Sequence, residues 1–103
     1  MVRLLANKAQ FDAVIAEGKL TVVDFYATWC GPCKMIAPII EEMEAFNPDV
    51  NFVKVDVDEN SDTAEACGIS AMPTFHFYKN GQKVAEVVGA DEGKIKELVA
   101  ELK

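Results

Sequence analysis

Apolar residues in this chain fall into two kinds of run, and each predicts a different element. From Leu20 to Ala27 the sequence is almost continuously apolar, the pattern of a strand covered on both faces. Asn51 to Val57 repeats it, and Val2 to Leu5 is a shorter strand candidate. Elsewhere apolar residues recur at three- and four-residue spacing, as on a helix with one buried face. Asn7 can cap such a helix to about Glu17, with Phe11, Val14 and Ile15 on a common face and Gly18 as its stop. A longer helix runs from a cysteine pair, Cys30 and Cys33, to about Phe46, carrying Ile36, Ile39, Ile40 and Met43. Pro38 falls inside it, where a missing N–H and a ring clash predict a kink. Ser61 to Cys67 reads as a short helix ended by Gly68, and Asp91 caps a last helix to about Leu102. Thr74 to Lys79 and Gln82 to Val88 flank Asn80-Gly81, a two-residue hairpin signal.

The order βαβαβαββα predicts an α/β fold. Its central mixed five-stranded sheet is parallel through the crossovers, antiparallel at the closing hairpin, and flanked by four helices on its two faces. No repeat, linker or low-complexity tract interrupts it, so residues 1–103 read as one domain. Half the residues are apolar, enough for an ordinary core without a metal or disulfide staple.

Seventeen acidic against ten basic side chains leave a net charge of −7. That disfavours nucleic acid and anionic membrane surfaces, which need clustered positive charge. No stretch approaches the roughly eighteen apolar residues of a membrane span. The apolar run within Met1 to Asn7 is too short for a signal peptide. Three cysteines, an odd number, fit a reducing compartment better than a secreted scaffold. A cytoplasmic location is expected.

The candidate chemistry lies at Trp29-Cys30-Gly31-Pro32-Cys33, where the apolar strand gives way to a helix. A Cys-x-x-Cys at such a junction reads as a redox pair. Residues three apart on a helix have Cβ atoms about 5–6 Å apart, and a disulfide needs about 3.5–4.5 Å, so the pair can open and close with a small adjustment. Ligand chemistry in such sheets gathers beyond the carboxyl ends of the strands, which is where this pair falls. Only a thiolate attacks a disulfide, so one cysteine needs ready ionisation and exposure. Cys30, at the helix start, meets unpaired N–H groups and the positive end of the dipole. It is therefore expected to be the nucleophile, with the more buried Cys33 as resolving thiol. A static disulfide or two inert thiols is the bland alternative. Pro32 suits a first helical turn, where its missing N–H costs little.

Asp24 interrupts the apolar strand between Val23 and Phe25, where a carboxylate is costly and its neutral form is favoured. Folded beneath the helix, it could exchange a proton with Cys33 directly or through water. The alternative is an Asp that reaches solvent at the sheet rim.

Val22 to Ile36, with Met72-Pro73-Thr74, Lys79-Asn80-Gly81 and Val88-Gly89-Ala90, closely resembles the thioredoxin family over nearly the whole chain. Met72 and Val55-Asp56-Val57-Asp58 are more similar to its eukaryotic cytosolic branch. The resemblance implies that Asp24 serves Cys33 in proton transfer, with Lys54 as its neighbouring lysine, and that Gly31-Pro32 sets the poise of a reductant. It implies that Pro73 is cis and packs beside the disulfide, leaving the preceding backbone free to pair with substrate. It also implies a shallow apolar groove from Trp29, Val57, Ala71, Met72, Pro73, Val88, Gly89 and Ala90; for Val57 and Val88, ordinary packing is equally compatible. On this resemblance the protein is a monomer without a bound cofactor. It reduces disulfide-containing proteins and is recharged by an NADPH-dependent thioredoxin reductase. A non-catalytic binding module and an oxidase or isomerase of secretory compartments are the alternatives. The first commonly lacks a cysteine or the acid, and the second is disfavoured by Gly31-Pro32 and the missing signal.

Other candidates fail or stay bland. Cys67 reads as an inert, partly buried thiol, with a regulatory or intermolecular disulfide as the alternative. Cys30, Cys33, Cys67 and His76 lack the compact ligand pairs of a zinc site, so His76 reads as a hydrogen-bonded strand residue. Asp56-x-Asp58-x-Asn60 opens like a calcium loop, but Ser61 and Cys67 occupy the places of its glycine and glutamate. Gly89 to Lys94 is one residue short of a P-loop.

Overall fold

The computed structural model describes residues 1–103. Its elements are β1 (Arg3–Leu4), α1 (Lys8–Ile15), β2 (Thr21–Tyr26), α2 (Gly31–Phe46), β3 (Asn51–Asp56), α3 (Ser61–Ala66), β4 (Thr74–Lys79), β5 (Gln82–Val88) and α4 (Glu92–Leu102). The strands form one mixed sheet in the order β1-β3-β2-β4-β5. β2 and β3 pair in parallel, with Asp24 opposite Lys54 and Tyr26 opposite Asp56, and β1 adds in parallel to the far side of β3. β4 is antiparallel to both β2 and β5.

The class, the element order and the mixed sheet agree with expectation, but one strand direction does not. The third crossover does not return parallel, because β4 runs against β2. Helix length supplies the reason. The 16 residues of α2 span about 24 Å, enough to carry the chain back along a strand of about 20 Å. The 6 residues of α3 span only about 9 Å, so β4 begins at the end of the sheet where β3 stops.

One helix ends earlier than expected, and one keeps its expected span. α1 stops at Ile15, before Gly18, because the Ile15 carbonyl accepts the N–H of Gly81 at 2.8 Å. α2 continues through Pro38 to Phe46. Pro38 and Lys34 are both exposed, so the carbonyl that loses its helical partner faces water. The hairpin forms as expected, with Asn80 at φ 54 and Gly81 at φ 81, the positive values a tight two-residue turn requires.

Alternation along the strands divides the core between the two sheet faces. Val22, Phe52, Phe75 and Phe77 pack with Ile36, Ile40 and Met43 of α2 and with Ile95 and Val99 of α4. Val23, Phe25, Val53 and Val55 pack with Phe11 and Val14 of α1. Two-residue steps from Val22 and Phe52 put Asp24, Tyr26, Lys54 and Asp56 on the α2 face, in one neighbourhood at the carboxyl ends of β2 and β3.

Candidate active site

Cys30 occupies the N-cap of α2, with an extended backbone at φ −86 and ψ 113. Its Sγ accepts the N–H of Cys33 at 3.2 Å, and its carbonyl accepts the N–H of Lys34 at 3.2 Å. Gly31 and Pro32 fill the first turn, where Pro32 forfeits no helical bond. Cys30 and Cys33 are joined as a disulfide, with their Cα atoms 5.3 Å apart. The sequence predicts one exposed and one buried sulfur, but in this oxidised form Cys30 is 5% exposed and Cys33 4%. Both pack against Ala27, with Tyr26, Val57 and Met72 alongside. The two differ in surroundings instead: Cys30 has the helix N-terminus, and Cys33 shares a cavity of about 250 Å³ with Asp24 and Lys54.

Asp24 is 6% exposed, and its Oδ1 has no hydrogen-bond partner in the protein. It is buried under α2 and does not reach solvent at a rim. Desolvation pushes its carboxyl up to about 7, while the positive charge of Lys54 pulls in the opposite direction. Lys54 stands opposite Asp24 in the β2–β3 register, and its Nζ lies 5.7 Å from the centre of the Tyr26 ring. Lys34 and Thr28 complete the polar lining of the cavity.

Two further chain segments edge the disulfide directly, and a third is tied to one of them. Trp29 is 67% exposed and donates its indole N–H to Asp58 at 3.0 Å. Val57 and Met72 pack against the cysteine pair. The Met72–Pro73 peptide is cis. The Pro73 carbonyl accepts the N–H of Gly89 at 2.8 Å, tying the Val88-Gly89-Ala90 segment to this loop. Ala71, itself exposed, is held through its carbonyl by the Thr74 hydroxyl at 2.6 Å. Val88 pairs with Thr74 across β4–β5 and keeps its side chain exposed. Sequence reasoning missed Asp58 and Tyr26. Nothing in the spacing relates Asp58 to Trp29, whereas Tyr26, two residues beyond Asp24 on a strand, must share its face.

His76 and Cys67 belong to a separate cluster with no contact to the disulfide group. His76 lies within 2.8 Å of the Glu86 carboxylate through Nε2 and 3.3 Å from the Tyr78 hydroxyl through Nδ1. The half-buried Cys67 is 3.7 Å from the same hydroxyl.

A family model described as thioredoxin matches residues 2–101. Thioredoxin-1 of Saccharomyces cerevisiae is 53% identical over 100 residues, which cover 97% of each chain. The thioredoxin of Fasciola hepatica, solved by X-ray, superposes with a TM-score of 0.96 at 44% identity, covering 99% of this chain and 100% of that one. A chain from a structure of the thiol-resolving mechanism in yeast mitochondrial 1-Cys peroxiredoxin, via glutathione and thioredoxin systems, superposes at 0.93 with 40% identity, covering 98% and 95%. The buried acid, the disulfide at a helix start and the cis proline loop thus occur in a chain that matches these relatives over nearly all of its residues, and the chain belongs to the thioredoxin family of thiol–disulfide oxidoreductases.

Proposed function

We propose that this chain reduces protein disulfides, with Cys30 as attacking nucleophile, Cys33 as resolving thiol and Asp24 as the group that exchanges a proton with Cys33. The Cys30 thiolate attacks one sulfur of the substrate disulfide and the other sulfur leaves as a thiolate, forming a mixed disulfide. Asp24 takes the proton of Cys33, whose sulfur then attacks Cys30 and expels the second substrate thiolate. Two electrons pass to the substrate, and the protein is left with the Cys30–Cys33 disulfide. The observation that carries this assignment is the asymmetry of the pair: Cys30 Sγ accepts a helix N-terminal N–H, while Cys33 shares its cavity with the buried Asp24. A backbone N–H and the helix dipole favour an anion at Cys30. A carboxyl poised near neutrality suits proton exchange near neutral pH.

Members of the family act on disulfide substrates and are re-reduced by thioredoxin reductase. We extend both partners to this chain, with an NADPH-dependent reductase and with peroxiredoxins among its substrates. Trp29, Val57, Ala71, Met72, Pro73, Val88, Gly89 and Ala90 form the proposed docking rim. Its apolar parts and the Met72 backbone tolerate varied sequences flanking the scissile disulfide. Gly31 and Pro32 tune the pair through the stiffness of the first turn, and Lys54 tunes it through Asp24. Residues 1–103 work as one domain, as a cytoplasmic monomer without a bound cofactor or a nucleic-acid or membrane partner. Insulin reduction with dithiothreitol tests these roles. Cys30→Ser is expected to lose turnover. Cys33→Ser is expected to accumulate a mixed disulfide visible on non-reducing gels. Turnover retained by Cys30→Ser would overturn the assignment.

A further inference from the structure

Tyr26 has no task in the exchange described above, yet it adjoins both the cysteine pair and the cavity of the buried acid. It ends β2, packs against the cluster of Ala27, Cys30 and Cys33, and lines the cavity that holds Asp24 and Lys54. Its ring receives the Lys54 ammonium 5.7 Å from the centroid, within the roughly 6 Å at which a ring face attracts a cation. A lysine carries a compact charge on a flexible stem, so its position must be imposed by a neighbour. Asp56 stands opposite Tyr26, but its Oδ1 is committed to the N–H groups of Asp58 at 2.9 Å and Glu59 at 3.3 Å.

We propose that Tyr26 is a positioning residue for thiol–disulfide exchange: its ring face holds the Lys54 ammonium beside the Asp24 carboxylate, in the cavity that also contains Cys33. The proposal rests on the roles given above to Asp24 and Cys33. In the resolving step the proton passes from Cys33 to Asp24 while the Cys33 sulfur attacks Cys30. Tyr26 moves neither proton nor electrons. It fixes the one charge that favours an ionised Asp24 against desolvation. The groups sharing the cavity with Asp24 are Tyr26 on β2, Lys54 on β3, and Cys33 and Lys34 on α2, with Asp56 the next residue along the same face of β3, opposite Tyr26. β4 places the uncharged Phe75 opposite it. Because the ring face does the holding, phenylalanine should replace tyrosine and an aliphatic residue should not.

The test follows the Asp24 side-chain carboxyl by NMR as the oxidised protein is titrated, in the parent, Tyr26→Phe, Tyr26→Leu, Lys54→Met and the Tyr26→Leu/Lys54→Met pair. Tyr26→Leu is expected to raise the Asp24 midpoint by about half a pH unit, the size of a partly exposed cation–π contact. Tyr26→Phe should leave it in place, and Tyr26→Leu should add nothing once Lys54 is gone. Resolution of a preformed mixed disulfide near pH 7 should slow about twofold in Tyr26→Leu and recover in Tyr26→Phe. An equal shift from Tyr26→Leu with and without Lys54, or no shift, overturns the proposal, as does a Tyr26→Phe variant that behaves like leucine. Tyr26→Met takes the place of Tyr26→Leu if the latter does not fold. Parent-like resolution in Asp24→Asn would remove Asp24 from the reaction, while the titrations would still decide whether Tyr26 holds Lys54.

Discussion

Asp24 is a residue whose function and stability pull apart. Its carboxyl titrates near 7 in the fold, against 3.8 in its ordinary state. Between those values the folded chain holds a proton that the unfolded chain lacks, so the contribution of this group is fully present below 3.8 and is lost as pH rises through 7. Asp24→Asn is therefore expected to stabilise the oxidised protein at pH 8 by about 2–4 kcal/mol, and to remove that slope. Urea denaturation of oxidised parent and variant at pH 5 and 8 measures both, and a destabilised variant at pH 8 would contradict the account. The position is legible in the sequence because a carboxylate between Val23 and Phe25 conflicts with everything around it. The contact between Tyr26 and Lys54 is not, because it joins strands through a register that no local pattern encodes.

The β4–β5 hairpin combines a legible turn with a network that needed the structure. Asn80-Gly81 announces the turn, and both residues take the positive φ it demands. Gly81→Ala should cost about 1 kcal/mol in thermal or urea unfolding, since φ 81 strains any side chain even where space is open. Further along, His76 is 1% exposed and bridges Glu86 on β5 and Tyr78 on its own strand. Burial, then the charge of Lys83, hold the imidazole below its ordinary 6.5, and Glu86 opposes them. A histidine held neutral in the fold contributes stability that is present above 6.5 and lost as pH falls below it. His76→Gln should lose stability at pH 7, and its deficit against the parent should shrink by pH 5; a deficit that stays constant or grows would contradict this. His76 is the only histidine, so a proton NMR titration reads it directly. Alternation in Phe75-His76-Phe77 gives the strand, but the direction of β4 follows from the shortness of α3 and needed the three-dimensional path.

At the scale of the molecule, topology and chemistry converge on one end of the sheet. β2 delivers the chain to Cys30, α2 covers Asp24, Met72 before β4 packs against the disulfide, and the Pro73–Gly89 bond ties the loop after β5 to that segment. The redox pair and the mixed sheet were legible because they depend on short motifs and long periodic segments. Trp29's bond to Asp58 was not, because it depends on how loops from different strands approach one another. The central claim is that this assembly activates one sulfur, at Cys30, and keeps its partner in reserve. The measurement that tests it most directly is the rate of iodoacetamide labelling of the fully reduced protein near neutral pH, resolved by peptide mass for Cys30, Cys33 and Cys67. Cys30 should be labelled first and faster than free glutathione, with Cys33 well behind. Labelling of neither Cys30 nor Cys33 faster than glutathione, or of Cys33 ahead of Cys30, would contradict the account.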